Sequence, residues 1–256
     1  MPAIEINGLS KAYSLNGHAF QALHGVSARV EHGGLVTVVG RSGCGKTTLL
    51  RLLCGLEQPS GGTVRFLDES GAPTGARIGV VFQEARLMPW LTVEKNMAFG
   101  LEGRLGRDQA RRAVSRGLEM LHLTAFRHAY PSQISGGMAQ RVALGRTLCA
   151  DPDIILMDEP FGALDAFTRR NLQLELTRIF LHQSKTIVFV THDVDEAAFL
   201  GQRVLVMDAG TIVADLPVPL PYPRSTLSGR FFNVREGILS AVMGDTARTT
   251  PNQEEV

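Results

Sequence analysis

The residues best suited to chemistry in this chain form one short glycine-rich stretch, residues 40–48. Its sequence is Gly40-Arg41-Ser42-Gly43-Cys44-Gly45-Lys46-Thr47-Thr48, which gives a glycine, four residues, then glycine, lysine and threonine. That spacing is the P-loop pattern, which binds the phosphates of a nucleoside triphosphate. Glycines let backbone N–H groups approach phosphate oxygens, and a helix that starts at the loop places its positive dipole end beneath them.

Two side chains in this loop have predicted roles of their own. Lys46 is expected to reach the β- and γ-phosphates, and the hydroxyl of Thr47 is expected to hold Mg²⁺. The flanks support this interpretation over a chance glycine-rich turn, because residues 35–39 predict a strand and residues 47–53 predict a helix. The other predicted nucleotide contacts in the loop are Gly40, Arg41, Ser42, Gly43, Cys44, Gly45 and Thr48.

Two adjacent carboxylates follow a second apolar run. Residues 154–157 are typical of a strand buried on both faces of a parallel sheet, and Asp158 and Glu159 come directly after them. Ligands bind at the carboxyl ends of strands in open α/β sheets, so both carboxylates lie where a nucleotide is expected. One carboxylate fits a Mg²⁺ ligand, and the other fits a base or a group that positions water.

Three more residues each have two interpretations. Gln83 follows the strand-like run 78–82, and it either begins an ordinary loop or reaches Mg²⁺ or a water beside the γ-phosphate. His192 follows the run 186–191, where a histidine is usually structural, but beside a P-loop it becomes a candidate γ-phosphate contact. Tyr13 is either a surface aromatic or a residue that stacks on an adenine ring.

A second anion site is predicted at Ser135-Gly136-Gly137. These residues precede a helix predicted over residues 138–150, and Ser135 suits its N-cap. The two glycines leave backbone N–H groups bare at the helix N-terminus, where a phosphate is favoured. The following pair Gln140-Arg141 strengthens the prediction.

The bulk composition narrows the class of protein. The 256 residues carry a formal net charge of +1 at pH 7, which gives no sign of a nucleic-acid groove. No apolar run approaches the length of a membrane span and the first residues do not resemble a signal peptide, so we expect the protein in the cytoplasm. Cys44, Cys54 and Cys149 lack metal or redox spacing and are expected to be reduced thiols.

Together, these motifs resemble the ATP-binding subunit of ATP-binding cassette (ABC) transporters. The resemblance covers roughly residues 4–215 and rests on six motifs in the family's order. They are the P-loop, the glutamine Gln83, the signature segment 134–138, the pair Asp158-Glu159, the aspartate Asp165 that ends the next loop, and the switch histidine His192. The signature segment has Ile134 and Met138 where Leu and Gln are more usual, but its Ser-Gly-Gly centre is intact.

The resemblance assigns roles to these residues. It implies that Tyr13 stacks on adenine and that Asp165 contributes to the nucleotide site. Gly162 stands where the family often has a serine, which removes one hydroxyl contact from that loop. The implied catalytic residues are Glu159, His192 and Gln83, and the implied Mg²⁺ ligands are Thr47, Gln83 and Asp158.

The implied fold is α/β, a RecA-like P-loop NTPase core with a small antiparallel β-lobe and an inserted α-helical subdomain. We expect residues 1–87 to form the first part of the ATP-binding core with the β-lobe. Residues 88–156 are expected to form the helical subdomain and residues 157–216 the second part of the core. Residues 217–256 are expected to hold a proline-rich segment, a helix over 231–243 and a disordered tail.

The implied function is that of an ATPase that uses ATP and Mg²⁺ to drive an importer. Residues 87–90 and 161–165 resemble the branch that serves nitrate, aliphatic sulfonate and taurine importers. The family works as a head-to-tail dimer, with ATP between one P-loop and the other copy's Ser-Gly-Gly segment. The implied partners are a permease that contacts residues near Gln83 to Trp90 and a substrate-binding protein, and the implied location is the cytoplasmic face of the inner membrane. The alternative is a soluble ABC ATPase that acts in assembly or nucleic-acid processing, which the near-zero charge and single cassette disfavour.

Overall fold

The computed structural model describes residues 2–15, 18–101, 103–162, 164–183 and 185–244. The nine strands of these residues are β1 (Ala3–Leu15), β2 (His18–Val30), β3 (Leu35–Val39), β4 (Gly61–Leu67), β5 (Ile78–Val81), β6 (Ile154–Asp158), β7 (Thr186–Thr191), β8 (Arg203–Asp208) and β9 (Thr211–Pro217). Their α-helices are α1 (Lys46–Leu53), α2 (Val93–Ala98), α3 (Arg107–Met120), α4 (Gly136–Cys149), α5 (Ala166–Gln183), α6 (Val194–Leu200) and α7 (Gly229–Met243). Short 3₁₀ turns cover Thr124–Phe126 and Pro131–Gln133.

A six-stranded sheet forms the centre of the molecule. Its order is β5-β6-β7-β3-β8-β9, and all neighbours pair in parallel except β8 and β9. Every residue of β3, β6 and β7 is buried, as the continuous apolar runs predict. Because these strands are parallel, the P-loop, the Asp158-Glu159 pair and His192 all follow the same edge of the sheet.

Alternate residues of the sheet pack into two separate cores. On β6, Ile155 and Met157 join the core that contains helices α3, α4, α5, α6 and α7, whereas Ile154 and Leu156 join the core beneath α1 and the β-lobe. This division follows from the two-residue period of side chains along a strand. The sheet therefore packs against one core on each of its faces.

A second sheet of order β2-β1-β4 forms the predicted antiparallel lobe. Strands β1 and β2 each run for 13 residues, which is much longer than the short alternating segments visible in the sequence. Tyr13 consequently lies inside β1 rather than between strands, and its partner across the ladder is Phe20. The lobe thereby places two aromatic residues side by side.

The helical segment lies between β5 and β6 in the chain. It contains α2, α3 and α4, and buried Met97, Val114 and Leu118 join the larger core. Strand β6 begins at Ile154, so the predicted boundary between residues 156 and 157 falls inside a strand of the central sheet. The helical segment is better ended at Cys149, the last residue of α4.

Helix α5 was not predicted from the sequence. It follows Asp165 and runs for 18 residues. Its buried residues Leu172, Leu176, Ile179 and Phe180 recur at helical spacing, so the signal was present in the sequence. The predicted disordered tail falls almost wholly outside the described residues. Within the described ranges, no helix is both long and apolar enough to cross a membrane.

Candidate functional site

The backbone of the P-loop has a shape that glycine alone permits at two positions. A Cβ atom on Gly40 would lie 2.1 Å from the carbonyl oxygen of Met207, so no side chain fits there. Gly45 has a φ of +104°, and a Cβ on it would lie 2.7 Å from the carbonyl oxygen of Ala22. These constraints place the loop tightly between β2 and β8 and let α1 begin at once with Lys46.

The ammonium group of Lys46 lies over the loop. Its Nζ donates hydrogen bonds to the carbonyl oxygens of Gly40 at 2.8 Å and Arg41 at 3.0 Å, and the residue is only 5% exposed. Loop carbonyls therefore orient a charged group above the N-terminus of α1, where phosphate oxygens are favoured. Cys44, within the same loop, is buried, and this burial raises the pKa of its thiol.

A hydroxyl and a carboxylate meet beside the loop. Thr47 Oγ1 donates to Asp158 Oδ1 at 3.2 Å, and Asp158 is 5% exposed at the end of β6. Burial raises the pKa of Asp158, and the nearby charge of Glu159 adds to the rise, against the hydrogen bond from Thr47. Hard oxygen donors of this kind suit Mg²⁺, which typically binds through one or two carboxylates together with substrate phosphates. Within the described ranges, no group of three or more His, Cys, Asp or Glu side chains could hold a metal ion.

Glu159 and His192 face each other across the ends of β6 and β7. His192 Nδ1 lies 2.9 Å from Oε2 of Glu159, a contact that a protonated Nδ1 donates to the carboxylate. Glu159 has a φ of +44°, a left-handed conformation that is uncommon for a residue with a side chain, and its N–H donates to Val190 O at 2.9 Å. Glu159 in this turn lines the same cavity as residues of the P-loop.

A cavity of about 260 Å³ joins most of the predicted groups. Gln83 and Glu159 line it together with residues of the P-loop. The predicted site residues that line it are Tyr13, Ser42, Gly43, Gly45, Lys46, Thr47, Thr48, Gln83 and Glu159. Asp158 and His192 adjoin this set through their contacts with Thr47 and Glu159.

An aromatic pair lies at the β-lobe end of this cavity. Tyr13 and Phe20 both line it, and Phe20 is 53% exposed. The Tyr13 hydroxyl donates to Glu57, and burial together with this hydrogen bond raises the pKa of the phenol. Phe20 was not predicted from the sequence, because only the register of β1 with β2 places it opposite Tyr13.

Comparison with known proteins agrees with this geometry. The family model described as ABC transporter matches residues 23–162. The chain belongs to the ABC transporter family. Among curated relatives, the ABC transporter ATP-binding protein MJ0412 of Methanocaldococcus jannaschii is 43% identical over 96% of this chain and 93% of its own. The aliphatic sulfonates import ATP-binding protein SsuB of Bacillus cereus (strain ATCC 10987 / NRS 248) is 43% identical over 92% of this chain and 94% of its own.

Solved structures of ABC cassettes share the fold. The dimeric post-hydrolysis state of the ATP-binding cassette MJ0796, bound to ADP and Pi, has a TM-score of 0.77 and 29% identity, over 85% of this chain and 100% of that one. The cbiO1 subunit of the cbiONQ transporter from Clostridium perfringens has a TM-score of 0.73 and 25% identity, over 84% and 88%. The predictions of an ABC ATPase and of a P-loop α/β fold are thus confirmed, and the chain is an ATP-binding, ATP-hydrolysing subunit of this family.

The signature segment of this ABC subunit lies apart from the P-loop cavity. Ser135 caps α4, its Oγ accepting from Met138 N–H at 3.2 Å as predicted, and Ser135 and Gly136 are exposed. Asp165 is also exposed, and its carboxylate accepts from the backbone N–H groups of Phe167 and Thr168 at the start of α5. The hydrogen bonds with Thr168 lower the pKa of Asp165. None of the residues 135–137 or 165 lines the cavity around Lys46.

The loop after Gln83 presents the single tryptophan of this ABC subunit outward. Trp90 is 70% exposed, whereas Asn96 beneath the loop is fully buried. The Asn96 side chain accepts from Met88 N–H at 2.8 Å and donates to the carbonyls of Met88 at 3.1 Å and Leu91 at 2.9 Å. A buried amide with satisfied hydrogen bonds fixes the backbone of the loop, and Trp90 lies exposed on this fixed backbone. This role of Asn96 was not predicted from the sequence.

Proposed function

We propose that this ABC subunit powers an importer for a small oxyanion or organosulfonate, such as nitrate, taurine or an alkanesulfonate. ATP with Mg²⁺ would lie between the P-loop of one copy and the Ser135–Gly137 segment of a second copy. The observation that carries the proposal is the cavity in which Lys46, Thr47, Gln83 and Glu159 converge. Converging lysine, hydroxyl, amide and carboxylate groups above a helix N-terminus fit a triphosphate and its attacking water.

Each group has a distinct part in the proposed hydrolysis. Lys46 binds the β- and γ-phosphate oxygens, exchanging its loop carbonyl partners for stronger charged ones. Glu159 accepts a proton from the attacking water. His192 forms a hydrogen bond with the Glu159 carboxylate and lies at the γ-phosphate side of the cavity. Thr47, Asp158 and Gln83 would hold Mg²⁺, which supplies charge neutralisation between the phosphates when bound.

The second copy has a clear place in this arrangement. A phosphate at the N-terminus of α4 would contact Ser135 and the bare N–H groups of Gly136 and Gly137, yet these residues do not line their own chain's cavity. A head-to-tail dimer supplies them from the partner copy. The solved structure of the MJ0796 cassette is dimeric, and this chain aligns with the full length of that cassette, which supports a pairing of two copies.

The proposed membrane partner contacts the loop between Gln83 and Trp90. An exposed tryptophan on a fixed loop is typical of an interface hot spot, and Gln83 at the start of the same loop lines the nucleotide cavity. The loop therefore connects the γ-phosphate side of the site with the outer surface. On this proposal the subunit sits at the cytoplasmic face of the membrane, bound to a permease that receives cargo from a substrate-binding protein.

The cargo assignment is supported by the relatives. SsuB proteins of several Bacillus strains are named for aliphatic sulfonate import and share 42–43% identity over 92% of this chain. An SsuB of Rhizobium johnstonii is 40% identical over 94% of this chain. The alternative of a soluble ABC ATPase outside transport has no comparable support among these relatives.

The test is reconstitution of the complete transporter. The chain would be purified with its membrane subunits, placed in liposomes containing Mg-ATP, and supplied with its binding protein and radiolabelled ethanesulfonate, taurine or nitrate. We expect ATP-dependent uptake of at least one of these anions, together with stimulated ATP hydrolysis. Maltose serves as the unrelated cargo.

The matched control is the same complex with Glu159→Gln in the ATPase subunit, which should assemble without transporting. Uptake of maltose alone, or ATPase activity that no anion stimulates, would contradict the cargo class. A chain that never co-purifies with a multi-span membrane protein would contradict the importer assignment as a whole.

A further inference from the structure

A buried polar network lies directly behind His192. Thr191, the last residue of β7, donates its hydroxyl proton to Glu196 Oε2 at 2.7 Å and accepts from Asp193 N–H at 3.0 Å. Asp193 caps α6 by accepting from the N–H of Glu196 at 3.2 Å. Glu196 is only 5% exposed, and Gln173 of α5 donates to its Oε1 at 3.4 Å.

A buried carboxylate in this position needs compensation. Burial raises the pKa of Glu196, while the Thr191 hydrogen bond and the charge of Arg169 favour its ionised form. The guanidinium of Arg169 lies with Nε 3.8 Å from Glu196 Oε1 and Nη1 3.6 Å from Asp193 Oδ2. One cation therefore faces the carboxylate of the N-cap residue Asp193 and that of Glu196 in the first turn of α6.

Arg169 also contacts the loop that begins at Glu159. Its Nη2 donates to the carbonyl oxygen of Leu164 at 3.1 Å. That loop is a series of tight turns, with Gly162 N–H donating to Glu159 O at 3.2 Å and Leu164 N–H donating to Phe161 O at 3.1 Å. A single guanidinium thus joins the end of the Glu159 loop to the turn that carries His192.

The ring of His192 depends on this turn for its placement. The side chain is 61% exposed, and its hydrogen-bond partner is the Glu159 carboxylate. Such an exposed ring has little packing to orient it, so the backbone at Thr191 and Asp193 sets where it points. Both of these residues are members of the network.

We propose that Arg169 and Glu196 are a positioning pair that holds the His192 ring against the Glu159 carboxylate. The proposal rests on the proposed roles of Glu159 and His192 in ATP hydrolysis. Neither Arg169 nor Glu196 lines the cavity around Lys46, so the pair acts on His192 through the backbone on either side of it, and the carbonyl of Leu164 holds the Arg169 guanidinium in place. The pair therefore affects the rate of hydrolysis, whereas the affinity for the nucleotide depends on the P-loop.

The test is a double-mutant cycle with Arg169→Gln and His192→Ala, measured as ATP turnover by the full chain. Arg169→Gln should lower kcat roughly ten- to a hundredfold, the scale of a displacement of about 1 Å in a catalytic group. The KM for ATP and the ATP affinity by calorimetry should stay unchanged. In the His192→Ala background, Arg169→Gln should have no further effect on the single-turnover rate, because the group it positions is gone.

The matched control is Arg178→Gln on the same helix. Arg178 is exposed and pairs with Glu175 one turn away, so its loss should leave both kcat and KM unchanged. Equal losses from Arg169→Gln in the wild-type and His192→Ala backgrounds would overturn the proposal, because they would indicate a general structural role.

A second variant guards against a folding defect in Arg169→Gln. Glu196→Gln has the same shape, keeps an oxygen for the Thr191 hydroxyl, and removes the charge that Arg169 faces. It should reproduce the fall in kcat with unchanged ATP affinity and the same non-additivity with His192→Ala. Wild-type turnover in Glu196→Gln would overturn the pair. Wild-type turnover in His192→Ala or Glu159→Gln would instead refute the proposed site itself, so the two failures are distinguishable.

Discussion

Replacing Glu159 with glutamine should separate ATP binding from ATP hydrolysis in this subunit. The amide has the same shape as the carboxylate, and its oxygen can still accept the hydrogen bond from His192 Nδ1, which spans 2.9 Å in the native pair. The cavity and the left-handed turn at residue 159 are therefore retained. What is lost is a group that can accept a proton from water.

The magnitude follows from that single loss. A general base typically contributes ~10²–10⁴-fold in rate, and at 1.36 kcal/mol for each tenfold change this is about 2.7–5.4 kcal/mol of transition-state stabilisation. Binding should be unchanged or tighter. The charge of Glu159 contributes to the raised pKa of Asp158, after burial, so its removal lets Asp158 stay ionised more readily and favours Mg²⁺ retention.

The assay combines turnover with size-exclusion chromatography. With Mg-ATP, Glu159→Gln should elute as a dimer, because two copies close around two nucleotides that are not hydrolysed, and turnover should fall at least a hundredfold. Glu119→Gln, the same substitution on an exposed face of α3, is the matched control and should match the wild type. Turnover at the wild-type rate in Glu159→Gln would refute the reasoning and move the role of base to another group at this sheet edge, with His192 the first candidate.

Three further substitutions test other parts of the site. Lys46→Ala should abolish tight ATP binding in calorimetry and prevent ATP-dependent dimer formation, because the loop carbonyls and phosphates lose their shared cation; near-normal affinity would contradict the P-loop assignment. Trp90→Ala should leave basal ATPase activity intact and weaken co-purification with the permease, whereas Phe126→Ala, another exposed aromatic of the helical segment, should change neither; unfolding of Trp90→Ala would instead show a core role. Asp158→Asn should raise the melting temperature of the nucleotide-free protein near pH 7, because it removes a buried charge, and should lose Mg²⁺-dependent activity. The folded-state pKa of Asp158 is raised, so ionisation of its carboxyl group destabilises the wild-type protein at a pH above that pKa. The difference in melting temperature between the variant and the wild type should therefore shrink as the pH falls through the pKa. A difference that stays constant across pH would contradict this account.

The sequence was most informative where the backbone itself dictates residue type. The P-loop glycines, the apolar runs of the parallel strands and the Ser135 cap are local signals, and the structure has each of them where the sequence predicts it. Strand ends that carry Gln83, Asp158 and His192 could be grouped because parallel strands share one edge.

Other features depend on contacts that a single sequence does not display. Phe20 becomes a cavity residue only because β1 and β2 extend far enough to pair it with Tyr13. Asn96 looks like an ordinary polar helix residue until its amide is found buried beneath a loop. Arg169 lies on a helix that was not predicted from the sequence. Two of its three partners, Asp193 and Glu196, lie at the start of α6, which only the fold brings to this arginine.

The buried Asn96 has a consequence for the thermodynamics of assembly. Ordering a flexible backbone costs roughly 1–2 kcal/mol for each residue fixed, and a loop that became ordered only on docking would lose that much affinity. Here the amide already fixes the backbone from Met88 to Leu91, and tryptophan has only two side-chain torsions left to restrict. Association of the proposed permease surface with Trp90 would therefore carry a small conformational entropy penalty. The same stiffness means that a displacement of Met88 would reach Trp90 with little of it absorbed by bending of the loop.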